Sequence, residues 1–134
     1  TETGMSVWDD LENFSESEFT CSHSGETKMD DDFLYRLQDL RTKCGFGFRI
    51  TSGYRSPEHP IEAPKAELGK LSPHTTGRAA DILIRGSQAY TLLKHATGLG
   101  FTGIGVSQTG EARFIHLDTL TETDGFPRPW IWSY

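Results

Sequence analysis

The amino-acid sequence predicts a single α+β domain, a small antiparallel sheet with helices packed on one face. Three observations carry that reading. Two stretches place apolar residues at helical spacing, and four short stretches read as strands. The last two of those strands are joined by a short turn, which pairs them antiparallel.

Residues 5–20 are polar with scattered aromatics, Trp8, Phe14 and Phe19, and are expected to wrap the domain surface. Ser15, followed three residues later by Glu18, has the spacing of a capping box. Residues 30–44 form the first predicted helix, with Phe33, Leu37, Leu40 and Cys44 on one face. Asp30, Asp31 and Asp32 supply an acidic first turn, and Gly45 supplies the stop. Residues 46–52 read as a strand with Phe46, Phe48 and Ile50 on one face, closed by Gly53. Residues 57–73 contain Pro57, Pro60, Pro64 and Pro73 in mostly polar chain. They are expected to form a long loop, a feature that in compact domains usually has a function. Residues 79–84 form the next strand. Ser87 is expected to cap a helix running to about Leu99, with Ala89, Leu92, Leu93, Ala96 and Leu99 on its apolar face and Gly100 at its end. Residues 101–106 and 112–117 are two strands joined by the turn at 107–110. The aromatic tail, 129–134, would be a sticky patch if left in water and is expected to pack back on the domain.

At 134 residues the chain is long enough for one compact domain with its own core. Thr1 to Gly4 precede the first methionine and are read as an appended segment outside a domain spanning 5–134. The net charge of -6 disfavours nucleic acid as a partner, because phosphate backbones are held by Lys and Arg. No stretch is long and apolar enough to span a bilayer, and no secretory leader is visible at the start of the sequence. A monomer is expected. Cys21 and Cys44 are either two thiols or one bridge, with a buried thiol favoured at Cys44. Cys21-Ser22-His23 has the look of half a metal site, but no second pair lies at zinc-ribbon spacing.

The chemistry concentrates in His74, Asp81 and His116. Zinc takes nitrogen and carboxylate ligands, and catalytic sites use three protein ligands with water in the fourth position. Asp81 follows His74 by seven residues and sits among Ala79, Ala80, Ile82, Leu83 and Ile84, where a carboxylate is costly unless paired. His116 lies between Ile115 and Leu117. Asp118 shares its strand face and is placed to orient a ligand. Spacing alone leaves open both a metal site and ordinary strand residues.

Four ordered blocks narrow the choice. They are Ser52-Gly53-Tyr54-Arg55-Ser56, residues 72–82 around His74 and Asp81, the glycine-rich residues 100–106, and Phe114-Ile115-His116-Leu117-Asp118. Together they resemble the zinc D-Ala-D-Ala carboxypeptidase family and its small phage endolysin relatives, from about Phe14 to the end of the chain. The resemblance implies a hedgehog/D-Ala-D-Ala peptidase-like fold and one Zn2+ ion held by His74, Asp81 and His116. It implies a zinc-activated water that attacks a peptide bond of the peptidoglycan stem peptide, and an Arg55 that holds the substrate carbonyl or carboxylate and steadies the oxyanion. It also implies a phage-encoded enzyme made in the host cytoplasm and acting at the cell wall. Gly77, Gly103 and Gly105 are candidates for close backbone approach near the site.

Two departures from the family pattern stand out. Relatives carry an acid or histidine three residues before the last ligand, where this chain has Arg113. Glu111 is therefore the first candidate for the general base and Asp118 the second. The long loop replaces the family's Pro-x-His-Asn continuation with Glu58-His59-Pro60, which leaves His59 as either a substrate contact or a surface residue. A zinc-loaded but inactive wall- or protein-binding module, or a virion component, is the rival reading.

Overall fold

A computed structural model describes residues 6–69 and 71–134. The segment Thr1 to Gly4, read above as appended, lies outside the described residues.

The fold is α+β, as expected. Its elements are α1 (Val7–Asp10), α2 (Asp31–Cys44), β1 (Arg49–Ser52), α3 (Ala63–Glu67), β2 (Ala79–Leu83), α4 (Gly86–Ala96), β3 (Gly103–Ser107), β4 (Phe114–Asp118) and β5 (Trp130–Ser133). The strands form one open sheet in the order β1-β2-β4-β3-β5. The first four pair antiparallel, as predicted. The aromatic tail does more than pack back: it becomes β5, which joins the edge of β3 in parallel and makes the sheet mixed.

Helix α2 has the predicted limits. Asp30 caps it by accepting from the Phe33 amide at 2.9 Å, and Gly45 ends it in the left-handed region at φ 78. Its buried stripe of Phe33, Leu34, Leu37 and Leu40 packs with Ala89, Leu92 and Ala96 of α4. The start of α4 differs from expectation. The helix begins at Gly86, so Ser87 lies inside it and its carbonyl accepts from the Thr91 hydroxyl instead of the side chain capping the end. The N-terminal segment also departs from a surface wrap. Leu11, Phe14 and Phe19 are buried in the core, with Trp8 and Phe14 packed on Phe19 at centroid distances of 5.5 and 5.7 Å. Apolar burial outweighed the polar character of the surrounding residues. The cap read there does form, with the Glu18 carboxylate accepting from the Ser15 amide at 2.8 Å. β1 is shorter than predicted, and Phe46 and Phe48 instead stack at 5.7 Å ahead of it. Cys21 and Cys44 are both free thiols; Cys21 is buried and Cys44 partly so.

Strand alternation gives the sheet two different faces. Ala80, Ile82, Ile104, Ile115 and Leu117 enter the helix-covered core. Asp81, Gly105 and His116 fall on the opposite face. Register then lines them up, because Ser52 lies opposite Asp81, Asp81 opposite His116, His116 opposite Gly105, and Gly105 opposite Trp132. One row across all five strands carries the candidate site.

Candidate metal centre and active site

His74 reaches this row from a single helical turn, Pro73–Thr76, that Gly77 closes in the left-handed region at φ 77. A side chain on Gly77 would run into the Lys28 carbonyl, so the close approach read from the sequence is present. The turn buries His74 and presents its Nδ1 to the Gly53 carbonyl oxygen at 2.8 Å. That carbonyl can only accept, so Nδ1 carries the proton and Nε2 is free as a donor atom for a metal.

His116 has the reverse arrangement. Its Nε2 faces Asp118 Oδ2 at 2.8 Å, and its Nδ1 points at Asp81 Oδ1, 3.0 Å away. His74 Nε2 lies 3.2 Å from the same Asp81 oxygen. One ligand atom from each of His74, Asp81 and His116 therefore falls within 4.8 Å of the others, and all three residues are buried. Among the described residues no other cluster of this kind forms, so the Cys21-Ser22-His23 half-site finds no partner. Burial opposes charge on Asp81, yet hydrogen bonds from His116 and His74 hold its carboxyl well below the usual carboxylate range. Burial likewise lowers His116, but its bonds to Asp118 and Asp81 overcome this and raise it.

Asp118 stands against His116 on the strand face read for it. It is fully buried and accepts two bonds from Arg128, Nε to Oδ1 at 2.9 Å and Nη2 to Oδ2 at 2.7 Å, plus one from the Leu120 amide. Burial works to raise its carboxyl, and His116 and Arg128 prevail, holding it at about 2. A Cβ on Gly103 would occupy the space of this carboxylate. A Cβ on Gly105 would come within 2.6 Å of the Trp132 ring. Both glycines thus make room at the site. Trp132 packs on His116 at a centroid distance of 5.2 Å and under the Arg128 guanidinium.

Arg55 is also brought to the triad. It donates through Nε to Ser52 Oγ at 3.1 Å and through Nη1 to Glu62 Oε2 at 3.1 Å, while Nη2 stands 3.8 Å from Asp81 Oδ2. The resulting cleft, about 310 Å³, is lined by Arg55, Lys65, His74, Asp81 and His116 and walled by Phe114, Trp132 and Tyr134.

Glu111 is not brought there. β4 starts at Phe114, so residue 111 lies in the turn before it, exposed, and lines a different cleft with Arg85 and Arg113. The Arg113 side chain folds back onto the Gly110 carbonyl. The strand read from 112 begins only at Phe114, and the turn ahead of it keeps Glu111 away from His116. His59 faces Ser22 and His23 and lines a polar hollow on the far side of Arg55.

Glu62, Lys65, Arg128, Trp132 and Tyr134 were not singled out from sequence. Glu62 and Lys65 sit in a polar loop where nothing marks one residue as buried. The alternation Trp130, Trp132, Tyr134 was a readable strand signal.

Two imidazole nitrogens and a carboxylate, buried at the floor of a cleft, are a donor set that could hold a metal ion, as in metal-dependent hydrolases. The particular family is also clear: the chain belongs to the M15 peptidases, because the family model described as peptidoglycan L,D-endopeptidase MepK matches residues 9–123. Peptidases of this family are zinc-dependent and act on peptidoglycan. No curated protein matches the chain. The match includes the triad, Arg55, Glu62 and Asp118, and ends before Arg128, Trp132 and Tyr134.

Proposed function

We propose that the protein is a zinc-dependent peptidase that cuts the peptidoglycan stem peptide, with L,D-endopeptidase activity as its principal form and D,D-carboxypeptidase activity as the alternative. The observation that carries this is the fixed orientation of the two histidine rings. The Gly53 carbonyl and Asp118 each take one ring nitrogen, which leaves His74 Nε2, His116 Nδ1 and an Asp81 oxygen converging on a substrate-sized cleft. When bound there, zinc would lower the pKa of a coordinated water toward neutrality and polarise the scissile carbonyl.

The remaining roles belong to the chain. Arg55 offers Nη2 to the substrate carbonyl oxygen, where a charged donor is worth most as negative charge develops. Its other donors are fixed by Ser52 and Glu62, so the guanidinium is preorganised. Phe114, Trp132 and Tyr134 give the peptide an aromatic wall and exclude water from one side. Asp81 is the one carboxylate that lines the cleft among the described residues, and its Oδ2 is the oxygen not engaged by a histidine.

The absence of a second acid in the lining supports one rival, a zinc-loaded binding module without turnover. Mass spectrometry of muropeptides, after incubation with the zinc-loaded protein, separates the two. The peptidase reading expects cleavage that a chelator stops and that His74→Ala abolishes, together with one zinc per chain that His74→Ala loses. Stoichiometric zinc and tight wall binding with intact muropeptides would establish the module instead.

A further inference from the structure

Arg113 stands three residues before His116, where an acid or histidine was expected, and it has no part in the proposed chemistry. It lines a separate cleft of about 330 Å³ with Arg85, Gln88, Leu83 and Glu111. The two guanidiniums are held by consecutive carbonyls of one turn. Arg113 donates through Nε to the Gly110 carbonyl at 2.8 Å, and Arg85 through Nη2 to the Glu111 carbonyl at 3.2 Å. Each is fixed at one nitrogen and keeps most of its N–H donors for a ligand.

Other arginines of this acidic chain meet carboxylates. Arg36 pairs with Asp32, Arg55 with Glu62, Arg78 with Asp124 and Arg128 with Asp118. Arg85 and Arg113 form no ion pair among the described residues, although the chain holds 19 acids against 13 bases. Glu111 shares their cleft and pairs with neither. Arg49, exposed on β1, flanks the cleft opposite Leu83 in the sheet register and adds a third positive charge. A cleft with such an excess of one sign concentrates the opposite ion.

The donors select the ligand. A carboxylate has two oxygens and is satisfied by a single guanidinium fork. A phosphate group brings more oxygens and more charge, enough to engage two forks at once. The position of the cleft matters as well. Leu83, in its lining, pairs across the sheet with Phe114, which walls the catalytic cleft, so the two clefts flank one register pair.

We propose that Arg85 and Arg113 form a phosphate-binding site beside the catalytic cleft, open to free phosphate and to the phosphate of a polymer lying along the same end of the sheet. The site uses none of the metal ligands, so it goes beyond the peptidase reading and is tested apart from it.

Inorganic phosphate, acetate and a poly(glycerol phosphate) chain are each titrated calorimetrically into the zinc-loaded protein. The same titrations are run on Arg85→Gln, Arg113→Gln and Lys94→Gln. Lys94 lies at the other end of α4, so its variant removes the same charge away from the cleft. Wild type is expected to bind phosphate about tenfold tighter than acetate. Arg85→Gln and Arg113→Gln should each weaken phosphate about tenfold, and Lys94→Gln should stay within about twofold of wild type. His74→Ala, which removes a metal ligand and is expected to abolish muropeptide cleavage, should keep the phosphate binding. Tighter binding of the chain per phosphate group, lost with the same two arginines, would assign the polymer as the source; binding no tighter would assign free phosphate. Absence of phosphate binding, equal affinity for acetate, equal weakening by Lys94→Gln, or loss in His74→Ala would overturn the site.

Discussion

Replacing Arg128 with methionine tests whether the metal ligands are held by the chain around them. Arg128 touches none of the triad and meets the cleft lining at Trp132, yet its two bonds at 2.9 and 2.7 Å are the strongest restraint on Asp118, the partner of His116 Nε2. Methionine keeps an apolar stem of similar length and removes the fork, which lies over Phe126 and Trp132. The Arg128 side chain is 5% exposed and the Asp118 side chain is fully buried, so solvent cannot replace the lost donors. Removing one partner of such a pair costs roughly 3–5 kcal/mol. The lower end applies, because His116 and the Leu120 amide still serve the carboxylate. A loss of about 3 kcal/mol would lower Tm by roughly 10 °C for a domain of this size. Zinc affinity should fall about 10- to 100-fold, the usual effect of losing a group that orients a ligand. Thermal unfolding of the metal-free protein reads the first quantity, and titration against a competing chelator reads the second. Lys at the same position should restore charge but not the paired geometry, and so recover only part of the affinity. Zinc affinity within twofold of wild type in Arg128→Met would refute the chain of support from Arg128 through Asp118 to His116, whatever happened to Tm.

Two further outcomes are expected. Glu111→Gln should leave muropeptide turnover within about twofold of wild type, since the residue lines a separate cleft; a loss on the scale of 10²–10⁴ in turnover would restore it as the general base. Glu62→Gln should destabilise the protein by about 2 kcal/mol at neutral pH, as expected for a hydrogen-bonded buried charge, and raise KM as Arg55 loses its anchor. Burial pushes the Glu62 carboxyl up, but donors from Ser72 and Arg55 bring it below its ordinary value. Its stabilisation is therefore complete above the ordinary carboxylate range and lost as pH falls through the lower folded value. Chemical unfolding across that acidic window should show a shallower loss in Glu62→Gln than in wild type, and an unchanged slope would rule out this contribution.

Much of the fold was legible because it rests on local signals. The Phe33, Leu37 and Leu40 stripe and its caps at Asp30 and Gly45 gave α2 its limits, and the alternation around Asp81 and His116 gave β2 and β4. Asp81 and His116 were legible as polar residues out of place in apolar strands, and His74 through the ordered blocks of a family around it. What escaped is non-local. Whether β4 begins at 112 or 114 depends on how the turn closes against Ile84, whose amide donates to the Arg113 carbonyl. The turn leaves Glu111 exposed in a separate cleft, and a longer strand would have set it on the face of Ile115 and Leu117, away from His116. Glu62 reads as one more charge in a loop, and only the docking of α3 against Arg55 and Ser72 buries it.

The placement of β5 binds these threads into one account of the site. The family match stops at residue 123, but the row that carries the metal ligands is not finished there. His116 has Asp81 on one side in the sheet, and on the other it has Gly105, a residue with no side chain to cover it. The space over Gly105 is filled by Trp132, which β5 delivers by pairing in parallel with β3 in the register Gly105 to Trp132. The connection leading into β5 carries Arg128 back onto Asp118. The same segment therefore shields one face of His116 with an indole and locks its Nε2 partner with a guanidinium. An imidazole restrained on both counts is held in the one orientation that aims Nδ1 at Asp81. In this chain the aromatic tail is thus a structural part of the site proposed to hold the metal.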